Sequence, residues 1–137
     1  MRRILCLLLL ALLVTACGGE DVAVEEVETA VVVTLWPNGE AQGSPLTAQL
    51  ACGPAIGSLP DNAAACTVLG GEDGRMALAP VPADAMCTEL YGGPAEARIV
   101  GMVAGEPVDA RLSRVNGCEI ERWQVLSALL PAAELPV

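Results

Sequence analysis

MCTELY, residues 86–91, is the stretch around which this chain is organised, and NGC, residues 116–118, is its partner. A disulfide between Cys87 and Cys118 would fix one end of the segment that follows Cys87. The turn-forming residues Gly92–Pro94 would hold its other end. The two stretches together predict an exposed loop that is held in one extended conformation.

The composition indicates one acidic domain with a small aliphatic core. The 137-residue chain has 17 Asp and Glu against 7 Arg, with no Lys and no His, so its formal charge is −10. This charge argues against nucleic acid and anionic membrane surfaces as partners. Phe is absent and the only aromatic residues are two Trp and one Tyr. The core must therefore consist of Val, Leu, Ile and Ala, and disulfides would compensate for its small size.

The first 17 residues indicate export from the cytoplasm. Arg2 and Arg3 precede an apolar run, Ile4–Val14, which is too short to span a membrane as a stable helix. The run leads into VTAC, residues 14–17, which resembles the end of a bacterial lipoprotein signal peptide before a lipid-modified cysteine. We therefore predict a signal peptide over residues 1–16 and lipidation of Cys17, with the protein anchored outside the cytoplasm on the bacterial cell membrane, or secreted.

An ordinary secretory signal, cut after the small residues, is the alternative. The parity of the cysteines argues against it, because Cys6 leaves with the signal and four later cysteines form an even set. Cys17 would otherwise be a lone thiol in an oxidising compartment. Residues 17–28, which are rich in Glu and Asp, are predicted to be a flexible tether between the lipid and the domain.

Hydrophobic patterning predicts a single domain over residues 29–137, with five strands and a helix. The predicted strands cover residues 29–36, 46–52, 96–104, 108–115 and 122–130. The first two are expected to be antiparallel, and the third and fourth to form a hairpin around Gly105–Pro107. A short helix is predicted over Asn62–Leu69, with Asp61 as its N-cap and Gly70-Gly71 as its end. Residues 72–85 are predicted to be irregular apart from a helical turn near Met76.

Most catalytic machinery is excluded by the absence of two residue types. Without His there is no Ser-His-Asp or Cys-His catalysis and no zinc site of the usual His kind. Without Lys there is no P-loop lysine, Schiff base or Ser-Lys dyad. No Cys-x-x-Cys motif occurs, and although catalysis by two carboxylates stays open, no pair stands out. We predict that the protein is not an enzyme and holds no metal or cofactor.

The four cysteines of the predicted domain, Cys52, Cys66, Cys87 and Cys118, allow three pairings, and the sequence alone does not choose among them. Their spacing accompanies LACGP at residues 50–54, an Ala-rich helix, MCT-x-x-Y at residues 86–91 and N-x-C at residues 116–118. With this combination the chain resembles the Streptomyces-type subtilisin inhibitors over about Val31–Leu126.

The resemblance implies disulfides Cys52–Cys66 and Cys87–Cys118. It implies an α+β fold, in which a five-stranded antiparallel sheet carries two short helices on one face. It also implies that two copies commonly form a homodimer through their sheet surfaces.

The resemblance further implies a function, namely inhibition of a serine endopeptidase by a rigid, substrate-like loop. Carried over by position, the Glu89–Leu90 peptide is the reactive bond, and Glu89 enters the main specificity pocket of the protease. The neighbouring contacts would be Met86, Cys87 and Thr88 on the acyl side and Tyr91 on the leaving side, with Asn116 supporting the loop from beneath. The partner would be a subtilisin-like or Glu-preferring enzyme.

Two features depart from the pattern of this family. Relatives usually carry Met, Lys or Arg where Glu89 stands, and a carboxylate suits neither an apolar nor an anionic pocket. The turn Gly92–Pro94 is one residue longer than usual, and its extra glycine predicts a looser loop. The alternative is a non-inhibitory envelope lipoprotein, a binding or scaffold module in which the bridge only stabilises the fold. Tyr91 would then be a partly buried aromatic, and Asn116 a turn residue.

Overall fold

Residues 28–133 are described by the computed structural model of the chain. They form five strands, three α-helices and two short 3-10 segments. In chain order the elements are β1 (Thr29–Trp36), a 3-10 segment (Glu40–Gln42), β2 (Leu46–Cys52), β3 (Ile56–Gly57), α1 (Asn62–Gly70), α2 (Glu72–Leu78), β4 (Glu96–Val103), β5 (Glu106–Leu112), α3 (Gly117–Val125) and a second 3-10 segment (Ser127–Leu129). No helix within residues 28–133 is both long and apolar enough to cross a membrane. The predicted signal peptide, the predicted lipidation site Cys17 and the predicted tether up to residue 27 lie outside the described residues.

Strand β1 is the centre of the antiparallel sheet, whose order is β3-β2-β1-β4-β5. Val31, Val33 and Leu35 of this strand are buried, whereas Val32 between them is exposed. This alternation is expected of a strand with one face on the core and the other in water. Because β2 and β4 pair with β1 on either side, the three strands share one buried face.

The predictions of β1 and β2 are confirmed, including their antiparallel pairing. The hairpin of β4 and β5 is confirmed as well, with a tighter turn than predicted. Ala104 and Gly105 both have positive φ, at 51° and 77°, which is typical of the two-residue turns that match the twist of a hairpin. The second strand therefore begins at Glu106, two residues earlier than predicted.

The predicted last strand over residues 122–130 is wrong, because these residues lie in α3 and the 3-10 segment that follows it. Trp123, Leu126 and Leu129 are buried at a spacing of three, which places them on one side of a helical segment. The fifth strand is instead β3, which pairs with residues 50–51 of β2. The expected five-stranded α+β fold is confirmed, although one of its strands is not the predicted one.

Helix α1 is confirmed, and its N-cap is the predicted Asp61, whose Oδ1 accepts a hydrogen bond from the Ala64 N–H at 2.9 Å. Residues 72–85 are less irregular than predicted, because α2 occupies the first half of them. Gly74 of α2 is buried against Val68 of α1, where a Cβ atom would collide with the Val68 carbonyl. The close packing of α1 and α2 requires this glycine. With α2 included, the domain has three helices, whereas the resemblance implied two.

A single hydrophobic core lies between the buried sheet face and the helices. Its largest fully buried side chains are Val33, Leu35, Leu69, Ile99, Leu112, Leu126 and Leu129. No polar or charged side chain between residues 28 and 133 is buried. The predicted aliphatic core is therefore confirmed, with Trp123 as its one large aromatic contribution from α3.

Two disulfides staple the domain, and both are the pairs that the family resemblance implies. Cys52–Cys66 joins the end of β2 to α1, with a Cα–Cα distance of 5.7 Å. Cys87–Cys118 joins the segment before β4 to the first turn of α3, at 5.4 Å. The first bridge closes a loop of about 15 residues. In the chain-entropy account, such a closure stabilises a fold by about 3 kcal/mol.

On the outer sheet face, Arg98 and Asp109 form a bidentate ion pair. Arg98 donates from Nε to Oδ1 at 2.7 Å and from Nη2 to Oδ2 at 2.6 Å. These hydrogen bonds, assisted by the positive charge of Arg98, lower the pKa of Asp109 below its ordinary value. Because the pair is exposed, its contribution to stability is small.

We expect acid to remove the contribution of this pair. The folded-state pKa of Asp109 lies below its unfolded value, so the stabilisation is fully present above the ordinary aspartate pKa of about 4. It is lost as the pH falls through the lowered folded-state pKa. NMR titration of the Asp109 carboxyl carbon measures this shift, and Arg98→Met should return the midpoint toward the ordinary value. Equal midpoints in the two proteins would contradict the prediction.

Candidate functional site

Residues 79–95 connect α2 to β4, and residues 85–95 of this connection form an irregular loop on the surface of the domain. The side chain of Met86 is completely exposed, and those of Leu90 and Tyr91 are 61% and 66% exposed. Thr88 and Glu89 are exposed as well. Exposed apolar side chains grouped on one loop are typical of a surface that binds a partner. The predicted exposure of this loop is confirmed.

The N-terminal half of the loop is fixed to the start of α3. The disulfide Cys87–Cys118 makes the covalent connection. Immediately beside it, the Gly117 N–H donates a hydrogen bond to the Thr88 carbonyl at 2.9 Å. A Cβ atom on Gly117 would collide with the Thr88 hydroxyl. Glycine at this position therefore lets the first turn of α3 pass beneath the loop without displacing the Thr88 side chain.

The C-terminal half of the loop is fixed to the segment between β5 and α3. The Gly92 N–H donates a hydrogen bond to the Arg114 carbonyl at 2.8 Å. The next residue, Gly93, is buried and has a φ of 109°, in the region that favours glycine. The two glycines suggested a looser loop in the sequence, but in the structure Gly92 is hydrogen-bonded and Gly93 is buried.

Asn116 is the N-cap of α3, since its Oδ1 accepts a hydrogen bond from the Glu119 N–H at 3.0 Å. Glu119 in turn receives a hydrogen bond from Arg122 at 2.7 Å, and Arg122 also donates to the Ala77 carbonyl at 2.9 Å. This chain of contacts fixes the start of α3 to the body of the domain. Direct support of the loop by the Asn116 side chain stays a prediction, whereas its neighbour Gly117 touches the loop.

A groove runs beneath the N-terminal half of the loop. Thr88, Glu89, Asn116 and Glu119 are among the residues that line it. Glu119 is paired with Arg122, so Glu89 carries the exposed negative charge on this side of the loop, which suits a partner that brings cationic or hydrogen-bond-donating groups. Within residues 28–133 no cluster of acidic or thiol side chains is arranged to hold a metal ion.

The arrangement presents a short peptide with a fixed backbone and accessible side chains. Glu89, Leu90 and Tyr91 lie between the two anchoring hydrogen bonds, which are made by Thr88 and Gly92. Such a peptide can pair with the edge strand of another protein at little conformational cost. The individual roles predicted for Met86, Cys87, Thr88, Glu89, Leu90, Tyr91 and Asn116 stay predictions.

Sequence reasoning missed part of the loop's support. The contributions of Gly92, Arg114 and Gly117 come from hydrogen bonds between distant backbone atoms, and these leave no periodic pattern. The helix that carries Gly117 does have a signal, because Asn116 followed three residues later by Glu119 matches the start of a capped helix.

Comparison with known proteins agrees with this geometry. Residues 27–116, which are 90 of the 137 residues, match the subtilisin inhibitor-like family. The matched segment contains all five strands and the exposed loop. No curated protein matches the chain. Because the match covers about two thirds of the sequence, the chain belongs to the subtilisin inhibitor-like family.

Proposed function

We propose that the protein inhibits a serine endopeptidase, with Glu89–Leu90 as the reactive peptide bond. The observation that carries this proposal is the loop that is anchored on both sides of that bond while its side chains remain exposed. The matched family is one of inhibitors and not of enzymes, which supports the prediction that the chain itself is no enzyme.

Preorganisation explains how such a loop binds tightly. Ordering the backbone of a flexible peptide costs about 1–2 kcal/mol per residue, or about 5–10 kcal/mol for the five residues 88–92. The loop meets this cost during folding, because the disulfide and the two backbone hydrogen bonds already hold it. The free energy of its contacts with the protease then appears as affinity.

The same anchors explain why the protease would not hydrolyse and release the loop as it does a substrate. The serine oxygen attacks the Glu89 carbonyl carbon, the bond to the Leu90 nitrogen breaks, and the nitrogen leaves as an amine with a proton from the enzyme's general acid. The amine stays near the new ester because the loop is held beyond Leu90. It can attack the ester, re-form the peptide bond and release the serine oxygen with its proton.

Glu89 determines which protease can be the target. Burying its carboxylate without a partner would cost several kcal/mol. The specificity pocket must therefore supply a cation or hydrogen-bond donors, as in an endopeptidase that cleaves after Glu. A subtilisin-like enzyme with an apolar pocket would be inhibited only weakly by this chain.

We propose further that the mature protein begins at a lipidated Cys17 and protects the surface of its own cell. The two disulfides of the domain support a location in an oxidising compartment. They also account for the four cysteines of the domain, which leaves Cys17 as the one unpaired cysteine after signal cleavage.

We also propose that two copies associate through the outer face of the sheet. Val32 and Val100 lie opposite each other on β1 and β4 and are each 41% exposed. Met102 and Ile56 extend the same apolar surface, at 39% and 62% exposure. Covering this surface in a symmetric homodimer would remove it from water.

Replacement of Glu89 tests the inhibitory function. We expect the mature chain to inhibit at least one Glu-preferring serine endopeptidase, and Glu89→Pro to abolish this inhibition. Glu89→Met should strengthen inhibition of subtilisin by more than about 100-fold, because it removes an unpaired carboxylate worth about 3 kcal/mol or more. Inhibition constants measured against a protease panel test both statements, and Glu106→Met, at the exposed start of β5, is the matched control.

The opposite result would favour the alternative function. If neither the wild-type chain nor Glu89→Met slows any Glu-, Met- or Arg-preferring serine protease, the protein is a non-inhibitory binding or scaffold module that retains the fold.

Anchoring is tested by two cysteine variants in a bacterial host that processes lipoproteins. We expect Cys17→Ser to lose the lipid mass on the mature N-terminus and to move from the detergent phase to the aqueous phase. Cys6→Ser, within the predicted signal peptide, should behave as the wild type does. A wild-type mature chain without lipid would show that an ordinary secretory signal is present.

The sheet-face dimer is tested by placing a charge at its centre. We expect Val32→Glu to be monomeric in sedimentation experiments at concentrations where the wild type is dimeric. Val115→Glu is the control, because Val115 is also exposed, at 58%, but lies outside the sheet. A wild-type chain that sediments as a monomer at micromolar concentrations would rule out the dimer.

A further inference from the structure

One short segment, residues 114–118, holds the exposed loop on both sides of the Glu89–Leu90 bond. Cys118 and Gly117 hold the N-terminal side, through the disulfide to Cys87 and the hydrogen bond to Thr88. Arg114 holds the C-terminal side, through the 2.8 Å hydrogen bond from the Gly92 N–H to its carbonyl. The first side has a covalent bond, whereas the second depends on non-covalent contacts.

The contact between Gly92 and Arg114 is close as well as hydrogen-bonded. A Cβ atom on Gly92 would lie 3.2 Å from the Cβ and Nε atoms of Arg114 and 3.2 Å from the Cδ1 atom of Ile120. The φ of Gly92 is outside the left-handed region, so an alanine would be allowed by the backbone itself. An alanine would therefore have to displace the side chains of Arg114 and Ile120 by a few tenths of an ångström.

The side chain of Arg114 is placed in turn by Trp123. The guanidinium carbon of Arg114 lies 5.8 Å from the centre of the Trp123 ring, within the range of a cation–π interaction. Trp123 is itself only 6% exposed and belongs to the core. The carbonyl that receives the Gly92 N–H is thus carried by a residue whose side chain rests on the buried part of α3.

We propose that Gly92 and Arg114 are positioning residues that retain the leaving side of the reactive bond after the protease has attacked it. This inference rests on the proposed inhibitory function. The Leu90 nitrogen is two residues from Gly92, so the anchor keeps the new amine within about 7 Å. In the acyl-enzyme, either this amine or a water molecule attacks the Glu89 ester, and the first reaction restores the inhibitor.

The length of chain between the Leu90 nitrogen and the first anchored residue decides whether the amine or water attacks the ester. If the anchor at Gly92 is released, the next residue whose side chain is held in the hydrophobic core is Ala95, which is 1% exposed and lies five residues from Leu90. The effective concentration of a tethered group falls roughly as the −3/2 power of the tether length. Lengthening the tether from two to five residues therefore lowers it about four-fold. Hydrolysis of the ester by water is then favoured over resealing of the peptide bond by the same factor.

The test compares Gly92→Ala with Gly70→Ala in the mature chain. A Cβ atom on Gly70 would meet nothing within 4 Å, so Gly70→Ala is the matched control. Each variant is incubated with a protease that the wild type inhibits, and mass spectrometry follows the ratio of cleaved to intact chain while residual activity is recorded. We expect Gly92→Ala to inhibit at first and then to be cleaved, with a ratio about four-fold higher than in the wild type and in Gly70→Ala.

Arg114 supplies a second pair of variants, in case Gly92→Ala does not fold. Arg114→Met removes the charge over the Trp123 ring, and Arg114→Lys restores a cation there. We expect Arg114→Met to raise the cleaved ratio less than Gly92→Ala does, and Arg114→Lys to return it toward the wild-type value. Thermal unfolding of every variant separates this effect from a general loss of stability.

Each outcome decides the matter. If Gly92→Ala and Arg114→Met stay intact and inhibitory like the wild type, the positioning role is wrong while the inhibitory function stands. If the wild type is itself cut rapidly, or slows no protease, the inhibitory function is wrong and the positioning role falls with it. An equal rise of the cleaved ratio in Gly70→Ala would also overturn the role of Gly92.

Discussion

The conformation of the exposed loop depends on its contacts with residues 114–118, which are one disulfide and two backbone hydrogen bonds. Met86, Leu90 and Tyr91 point into solvent, so the loop gains little from burial of its own side chains. A disulfide that closes about 32 residues stabilises by about 4 kcal/mol in the chain-entropy account, and each backbone hydrogen bond adds about 1 kcal/mol. This sum is close to the low end of the 5–10 kcal/mol needed to order five residues, so no single tie is dispensable.

These contacts hold the loop in place because α3, which provides part of them, is packed into the hydrophobic core. α3 buries Trp123, and Leu126 and Leu129 follow it into the same core. The Asn116 cap and the contact of Arg122 with the Ala77 carbonyl fix where the helix starts. The loop is therefore held by a rigid element and not by another loop, which is the requirement for a site that must keep one geometry.

The parts of the fold that were predictable have patterns contained within one element. β1 contains the β-branched run Val31–Val33, β2 alternates with period two, and α1 has a side-chain cap at Asp61. The parts that were missed depend on packing between elements. β3 is only two residues long, α2 contains a glycine that its contact with Val68 requires, and the last buried residues suggested a strand although α3 is capped as a helix. For the site, family resemblance supplied the loop and its disulfide, but the Gly92–Arg114 contact joins residues 22 positions apart and has no local signature.

Under the proposed function, the fold and the protease specificity are separable in this molecule, because specificity would depend on the side chain of Glu89. The side chain at this position is exposed and contributes nothing to the core, so the scaffold places almost no restriction on it. Gly92 and Gly117 are more restricted, because a Cβ atom on Gly92 would press against the side chains of Arg114 and Ile120, and one on Gly117 against the side chain of Thr88. Under the proposed function, a change of target protease would require substitution of one exposed side chain, whereas changes in the glycines and in residues 114–118 would act on the conformation of the loop.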